Sequence, residues 1–148
     1  MQVLGIKTDL IKPGDDLADK LEKAMNDADL ALQDGDILVV SESTLATAEG
    51  RLVYLENVEP SPLARLMADR YEKDPREMQL ILEESDQIVG GIPGVVLTLR
   101  EGFLYPNAGI DNSNAPPGSV VLFPSDPLAS ACQIRKRLAK GRNIAVII

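Results

Sequence analysis

Residues 107–114 read NAGIDNSN, which puts three asparagines, one aspartate and one serine into eight positions between two apolar runs. Two chemistries suit such a stretch. Asn and Asp tolerate left-handed backbone and hydrogen-bond their own loop, and Pro116, Pro117 and Gly118 close a turn, so the segment can be a structural bend. Alternatively, Asp111 exposed in a rigid loop supplies one carboxylate to Mg²⁺ or Mn²⁺, with waters and substrate phosphates as the other ligands. Asn114, three residues on, then offers a nucleotide both a donor and an acceptor.

The remaining composition narrows the partners. The chain has no histidine and one cysteine, so thiol–imidazole zinc sites are closed, Cys132 has no internal disulfide partner, and any metal must be a hard cation held by oxygens. A formal charge of −8 with three Tyr, two Phe and no Trp provides neither a basic face for a phosphate backbone nor stacking platforms, which argues against nucleic acid. No apolar run approaches a membrane span, and MQVLGIKTDL lacks the pattern of a signal peptide; a cytoplasmic protein is expected. At 148 residues the expectation is one domain over 1–148. The cluster RKRLAKGR falls late in a predicted helix, where its cations suit the helix C-terminus and a solvated face.

Periodicity supplies the elements that must position these groups. QVLGI (2–6) alternates like a short strand, and Leu17, Leu21, Met25 and Ala28 then repeat at helical spacing until QDGD (33–36). ILVV (37–40) and NIAVII (143–148) read as strands of the type buried on both faces, and RLVYL (51–55) and SVVLFP (119–124) as further strands. Ser61–Pro62 and Asp74–Pro75 open two helices that form a hairpin. Their inward faces are predicted at Leu63, Leu66, Met67, Arg70 and Tyr71, and at Met78, Ile81 and Leu82. GGIPG (90–94) reads as a turn, and VVLTL and FLYP flank Arg100, Glu101 and Gly102 as a β-hairpin. Asp126 and Pro127 start a last helix to about residue 140, with Cys132 expected as a small core residue. The fold class is α+β, a mixed β-sheet with flanking helices.

NAGIDNSN, taken with DGDILVVSESTLATAEGR and LIKPGDDL, resembles the coenzyme F(420)-0:L-glutamate ligase family, in the order and approximate spacing of all three segments. The resemblance covers the family's N-terminal portion. It implies an amide-forming ligase in which GTP phosphorylates a carboxylate on a deazaflavin precursor and the amino group of L-glutamate attacks the acyl phosphate, releasing GDP and phosphate. Such chemistry needs Mg²⁺ or Mn²⁺ and fixed donors but no protein nucleophile, so no residue is assigned a covalent catalytic role.

By the same resemblance Asp111 falls on the metal-binding aspartate, Asn114 on a nucleotide-contacting asparagine, Leu10 and Ile11 on the N-terminal nucleotide loop, and Ser43 on a GTP-contacting position. Thr8, Asp9 and Glu42 depart from the family pattern, and Thr47 stands where a nucleotide-contacting lysine is usual. A threonine hydroxyl cannot supply the charge of an ammonium, and Glu42 would repel phosphate. Glu49, Gly50 and Arg51 match the pattern; Glu49 and Arg51 read equally as a strand-edge ion pair or as substrate contacts. Family members continue from a strand like NIAVII into an acidic-Thr motif that completes the metal site. The expectations are therefore a ligase portion that is inactive in isolation and works with a complementing C-terminal chain or as a homodimer, or else an inactive binding or oligomerisation module paired through its apolar terminal strand.

Overall fold

A computed structural model describes residues 2–148. Among them the element order is α1 (Leu17–Asp27), β1 (Ile37–Val39), α2 (Glu42–Ala48), β2 (Leu52–Tyr54), α3 (Pro62–Tyr71), α4 (Pro75–Glu83), β3 (Gln87–Ile92), β4 (Val95–Arg100), β5 (Phe103–Pro106), β6 (Ser119–Val121), α5 (Pro127–Ala139) and β7 (Ala145–Ile147). Single 3-10 turns occupy Leu55–Asn57 and Asn107–Gly109. The class is α+β, with parallel and antiparallel pairing in separate small sheets. Two compact units result: residues up to Arg51 with Pro124–Ile148, and the intervening Leu52–Phe123.

The first unit is built on α1, α5 and the parallel pair β1–β7, registered Ile37↔Ala145, Leu38↔Val146 and Val39↔Ile147. Asp16 caps α1 by accepting from the Asp19 N–H at 3.1 Å, and Asp126 caps α5 by accepting from the Ala129 N–H at 2.8 Å. Leu17, Leu21 and Met25 of α1 pack with Leu38, Val40, Ile134 and Leu138 in one core. The late basic cluster is engaged locally: Arg137 pairs with Asp16 and Asp19, and Lys140 with Glu22, tying α5 to α1.

Several expectations for this unit are corrected. β1 is not buried on both faces: Ile37 and Val39 are 61% and 70% exposed while Leu38 and Val40 are buried, because only one face of the two-stranded sheet meets the helical core. Ile147 of β7 is likewise exposed. Residues 2–6 form no strand; Val3 and Leu4 are exposed, and alternation alone makes no strand without a neighbour to pair with. Cys132 is exposed, since Ile134 and Leu138 set the inward face of α5 one turn apart and leave position 132 outside. α2, unanticipated, fills 42–48, and its Leu45, Ala46 and Ala48 are buried.

The second unit holds α3 and α4 against the sheet β3–β4–β5 and the antiparallel pair β2–β6. Ser61 and Asp74 cap the helical hairpin by accepting from the Ala64 N–H and the Arg76 N–H, with proline in each first turn. Met78 and Ile81 point inward as predicted, but α3 buries Ala64, Ala68 and Tyr71 while Leu63 and Leu66 are exposed. The small alanine face lets α4 come close. The β4–β5 hairpin turns on Glu101 and Gly102, both at positive φ, as its sequence requires. GGIPG is a turn only at its end: Gly90 to Ile92 belong to β3, which a register shift between Ile88 and Gly90 carries past the glycines.

Candidate functional site

The Asp111 segment lies wholly in the second unit, and its backbone is fixed before its side chains are considered. Asp111 pairs with Val121 in an antiparallel bridge, its N–H donating to the Val121 carbonyl at 2.9 Å and its carbonyl accepting from the Val121 N–H at 2.8 Å. Three residues upstream the chain makes a left-handed turn, with φ of 50° at Asn107, 55° at Ala108 and 75° at Gly109. Each non-glycine residue in that region costs on the order of 1 kcal/mol, less for asparagine, so other contacts must hold the turn. They are present: the Ala108 methyl is fully buried, the Ala108 N–H donates to Thr98 Oγ1 at 3.1 Å, and Asn107 Oδ1 accepts from the Val96 N–H at 2.9 Å.

The carboxylate is gripped by the two residues that follow it at short range. Asp111 Oδ1 accepts from the Ser113 N–H at 2.8 Å and from Ser113 Oγ at 2.6 Å, and Oδ2 accepts from Asn114 Nδ2 at 2.7 Å. Partial burial acts to raise the pKa of Asp111, but the Ser113 and Asn114 hydrogen bonds outweigh it and hold the carboxyl below its usual range. The group is ionised at neutral pH, and one acceptor position remains on Oδ2 by lone-pair count. That donor suits monodentate binding of Mg²⁺ or Mn²⁺, which keep waters and take phosphate oxygens as their other ligands. Among the described residues no group of three or more Asp, Glu, Cys or His gathers as a ready cation cage. Asn114 is exposed, and with Nδ2 on Asp111 its Oδ1 is the side-chain atom left to accept from another donor.

The other expected positions lie in the first unit. Ser43 sits in the first turn of α2, its hydroxyl 2.9 Å from Ser41 Oγ, and Thr47 one turn later donates its hydroxyl to the Ser43 carbonyl at 2.7 Å. The Thr47 hydroxyl is thus turned back onto its own helix. Leu10 is exposed and Ile11 packs on the core, in a loop pinned by the Gly14 N–H on the Ala48 carbonyl at 2.9 Å. Leu10, Ile11 and Ser43 therefore share one unit, as Asp111 and Asn114 share the other. Glu49 accepts from the Ser125 N–H at 2.9 Å and Ser130 Oγ at 2.8 Å, linking the end of α2 to the start of α5.

Thr98 and Asn107 were not singled out by sequence reasoning. The signal was there in VVLTL, where one hydroxyl interrupts an apolar strand on its inward side.

Comparison with known proteins gives one consistent result. The family profile described as F420-0:Gamma-glutamyl ligase matches residues 5–148. The coenzyme F420:L-glutamate ligase of Methanopyrus kandleri is 41% identical over 141 residues, covering 93% of this chain and 54% of the relative. That of Methanothermobacter thermautotrophicus is 42% identical over 142 residues, covering 94% and 56%, and that of Archaeoglobus fulgidus 38% over 141 residues, covering 94% and 55%. The chain spans about half the length of these curated relatives.

Proposed function

Because the chain belongs to the F420-0:gamma-glutamyl ligase family, we propose that it carries part of the site of a GTP- and divalent-cation-dependent ligase that attaches L-glutamate in gamma linkage to a coenzyme F(420) precursor. The observation that carries this reading is the Asp111 carboxylate, held ionised by Ser113 and Asn114 with an acceptor position left on Oδ2. In the reaction a precursor carboxylate oxygen attacks the γ-phosphorus of GTP and GDP leaves; the glutamate nitrogen then attacks the acyl carbon, phosphate leaves and the nitrogen loses a proton. A bound Mg²⁺ or Mn²⁺ neutralises phosphate oxygens. Asp111 would hold that cation, Asn114 Oδ1 would meet the nucleotide, and Leu10, Ile11 and Ser43 would form a second nucleotide-contacting segment.

The chain spans about half its relatives' length, so we assign turnover to this portion acting together with a portion equivalent to the relatives' unmatched part, in the same polypeptide or a separate one. The test is calorimetric titration of GTP with Mn²⁺ into this chain mixed with that part of the Methanopyrus kandleri ligase. Saturable heat is expected; its absence from a mixture that demonstrably forms a complex overturns the reading.

A second reading, an oligomerisation module, is favoured by the outer face of β3–β4–β5. Leu99 pairs with Gln87 and Leu104, Leu97 with Gly90 and Pro106, and Val95 with Ile92, so the face opposite the buried Val96 and Thr98 is apolar where antiparallel sheets are normally polar. These rows contain no charged residue in a chain of net −8. Two copies can therefore meet there without like-charge repulsion, and a second copy is the occupant of this reading. Sedimentation of the chain and of Leu97→Glu decides it, a monomer in both excluding the module.

A further inference from the structure

The left-handed turn before Asp111 is built with more hydrogen bonds than a connection between two strands requires. Thr98 is fully buried and its hydroxyl works in two directions, donating to the Tyr105 carbonyl at 2.8 Å and accepting from the Ala108 N–H at 3.1 Å. Asn107 closes the turn from the other side: its side-chain oxygen takes the Val96 N–H at 2.9 Å and its carbonyl takes the Ile110 N–H at 3.0 Å. Gly109 lies against the Phe123 ring, where a Cβ would meet Phe123 Cδ2 at 2.6 Å. The turn is thus anchored to β4, to β5 and to Phe123, two residues beyond β6.

Asp111 is three residues beyond Ala108 and is fixed by its own bridge to Val121. Between these anchors lie only Gly109 and Ile110, and Ile110 is buried. A displacement of the turn must therefore be taken up at Asp111, because neither intervening residue has room to absorb it.

We propose that Thr98 and Asn107 are positioning residues for the Asp111 carboxylate: by clamping the left-handed turn they set where Oδ2 is presented to a divalent cation. The proposal rests on the metal-binding role given to Asp111 above and extends it to two residues that touch neither substrate nor cation. Thr98 and Asn107 act through backbone amides, so their removal deletes no atom of the Asp111–Asn114 cluster and changes only its support.

The test compares the chain with Thr98→Val and Thr98→Ser by ¹⁵N-detected amide spectra and by Mn²⁺ titration. In the unaltered chain the Asn114 side-chain amide, held by Asp111, is expected to give proton signals displaced from free-amide positions, and Mn²⁺ is expected to broaden the 111–114 signals. Thr98→Val is expected to move the Asn114 pair toward free-amide positions and to raise the Mn²⁺ needed for half-broadening about tenfold, the low end for groups that orient a metal ligand. Thr98→Ser, which keeps the hydroxyl, restores both. Unchanged Asn114 signals and Mn²⁺ response in a folded Thr98→Val chain overturn the proposal. Should Thr98→Val fail to fold, Asn107→Gly is read by the same criteria, since glycine keeps the left-handed φ and removes the acceptor for Val96. If the unaltered chain shows no Mn²⁺ response while the Asn114 pair shifts in Thr98→Val and returns in Thr98→Ser, positioning stands and it is the metal reading that fails.

Discussion

Asn114 donates its side-chain amide to Oδ2 of Asp111 across 2.7 Å, so the candidate nucleotide contact and the candidate metal ligand are one hydrogen-bonded unit. Moving either residue moves the other. The two groups are linked before any ligand arrives.

The pH behaviour of Asp111 follows from that link. Its folded-state pKa is depressed, so the stabilisation is present above the unfolded value of about 3.9 and is lost as pH falls through the lower folded value. Asn114→Ala should shift the Asp111 carboxyl titration upward, as read by ¹³C NMR. It should also shrink the part of the acid-side stability loss that begins below about pH 4.

Asp16 has two roles in the first unit, as cap of α1 and as partner of Arg137. Asp16→Ala should therefore cost about 1 kcal/mol from the lost cap. Arg137→Ala should do less, because an exposed ion pair is screened, and its effect should diminish with added salt. Urea denaturation at low and high ionic strength separates them.

The Lys73–Glu77 pair is less forgiving. The side chains are 6% and 11% exposed and meet at 2.8 Å, and Lys73 also donates to the Gly94 carbonyl at 3.1 Å. Lys73→Met leaves a carboxylate in a dry site and should destabilise by about 3 kcal/mol, the low end for breaking a buried pair. The double variant Lys73→Met/Glu77→Leu should recover part of that loss in a thermal denaturation cycle.

Thr47→Lys tests the first-unit nucleotide segment. The Thr47 hydroxyl bonds only to a helix carbonyl that already has a backbone role, so its removal should leave the melting temperature nearly unchanged. An ammonium at that position should tighten GTP binding by about tenfold, roughly the 1.4 kcal/mol of one favourable charge contact. Fluorescent GTP titration of the assembled ligase reads the difference, and no change would remove position 47 from the nucleotide site.

The sequence was most legible where local chemistry decides the structure. Ser61, Asp74 and Asp126, each followed by proline, started their helices as read, and Glu101–Gly102 turned its hairpin. It was least legible where burial depends on what covers a face. The outward positions of Ile37, Val39, Leu63, Leu66 and Cys132 come from one-sided packing of short elements, which hydrophobicity cannot report. At the site, Asp111 and Asn114 were readable as types and spacing. Thr98 was not, because its partner Ala108 lies across a strand pairing that only the register defines.

The parallel pairing of β1 with β7 joins positions 37 and 145 and encloses the whole of residues 52–123. The enclosed stretch seals its own two ends through the β2–β6 ladder, where Leu52 faces Val121. During synthesis β1 emerges long before its partner and must wait, while the enclosed stretch already holds everything it needs to close on itself. The order of acquisition is thereby set by connectivity: the continuous middle segment matures first, and the unit built from the two ends of the sequence is completed after it.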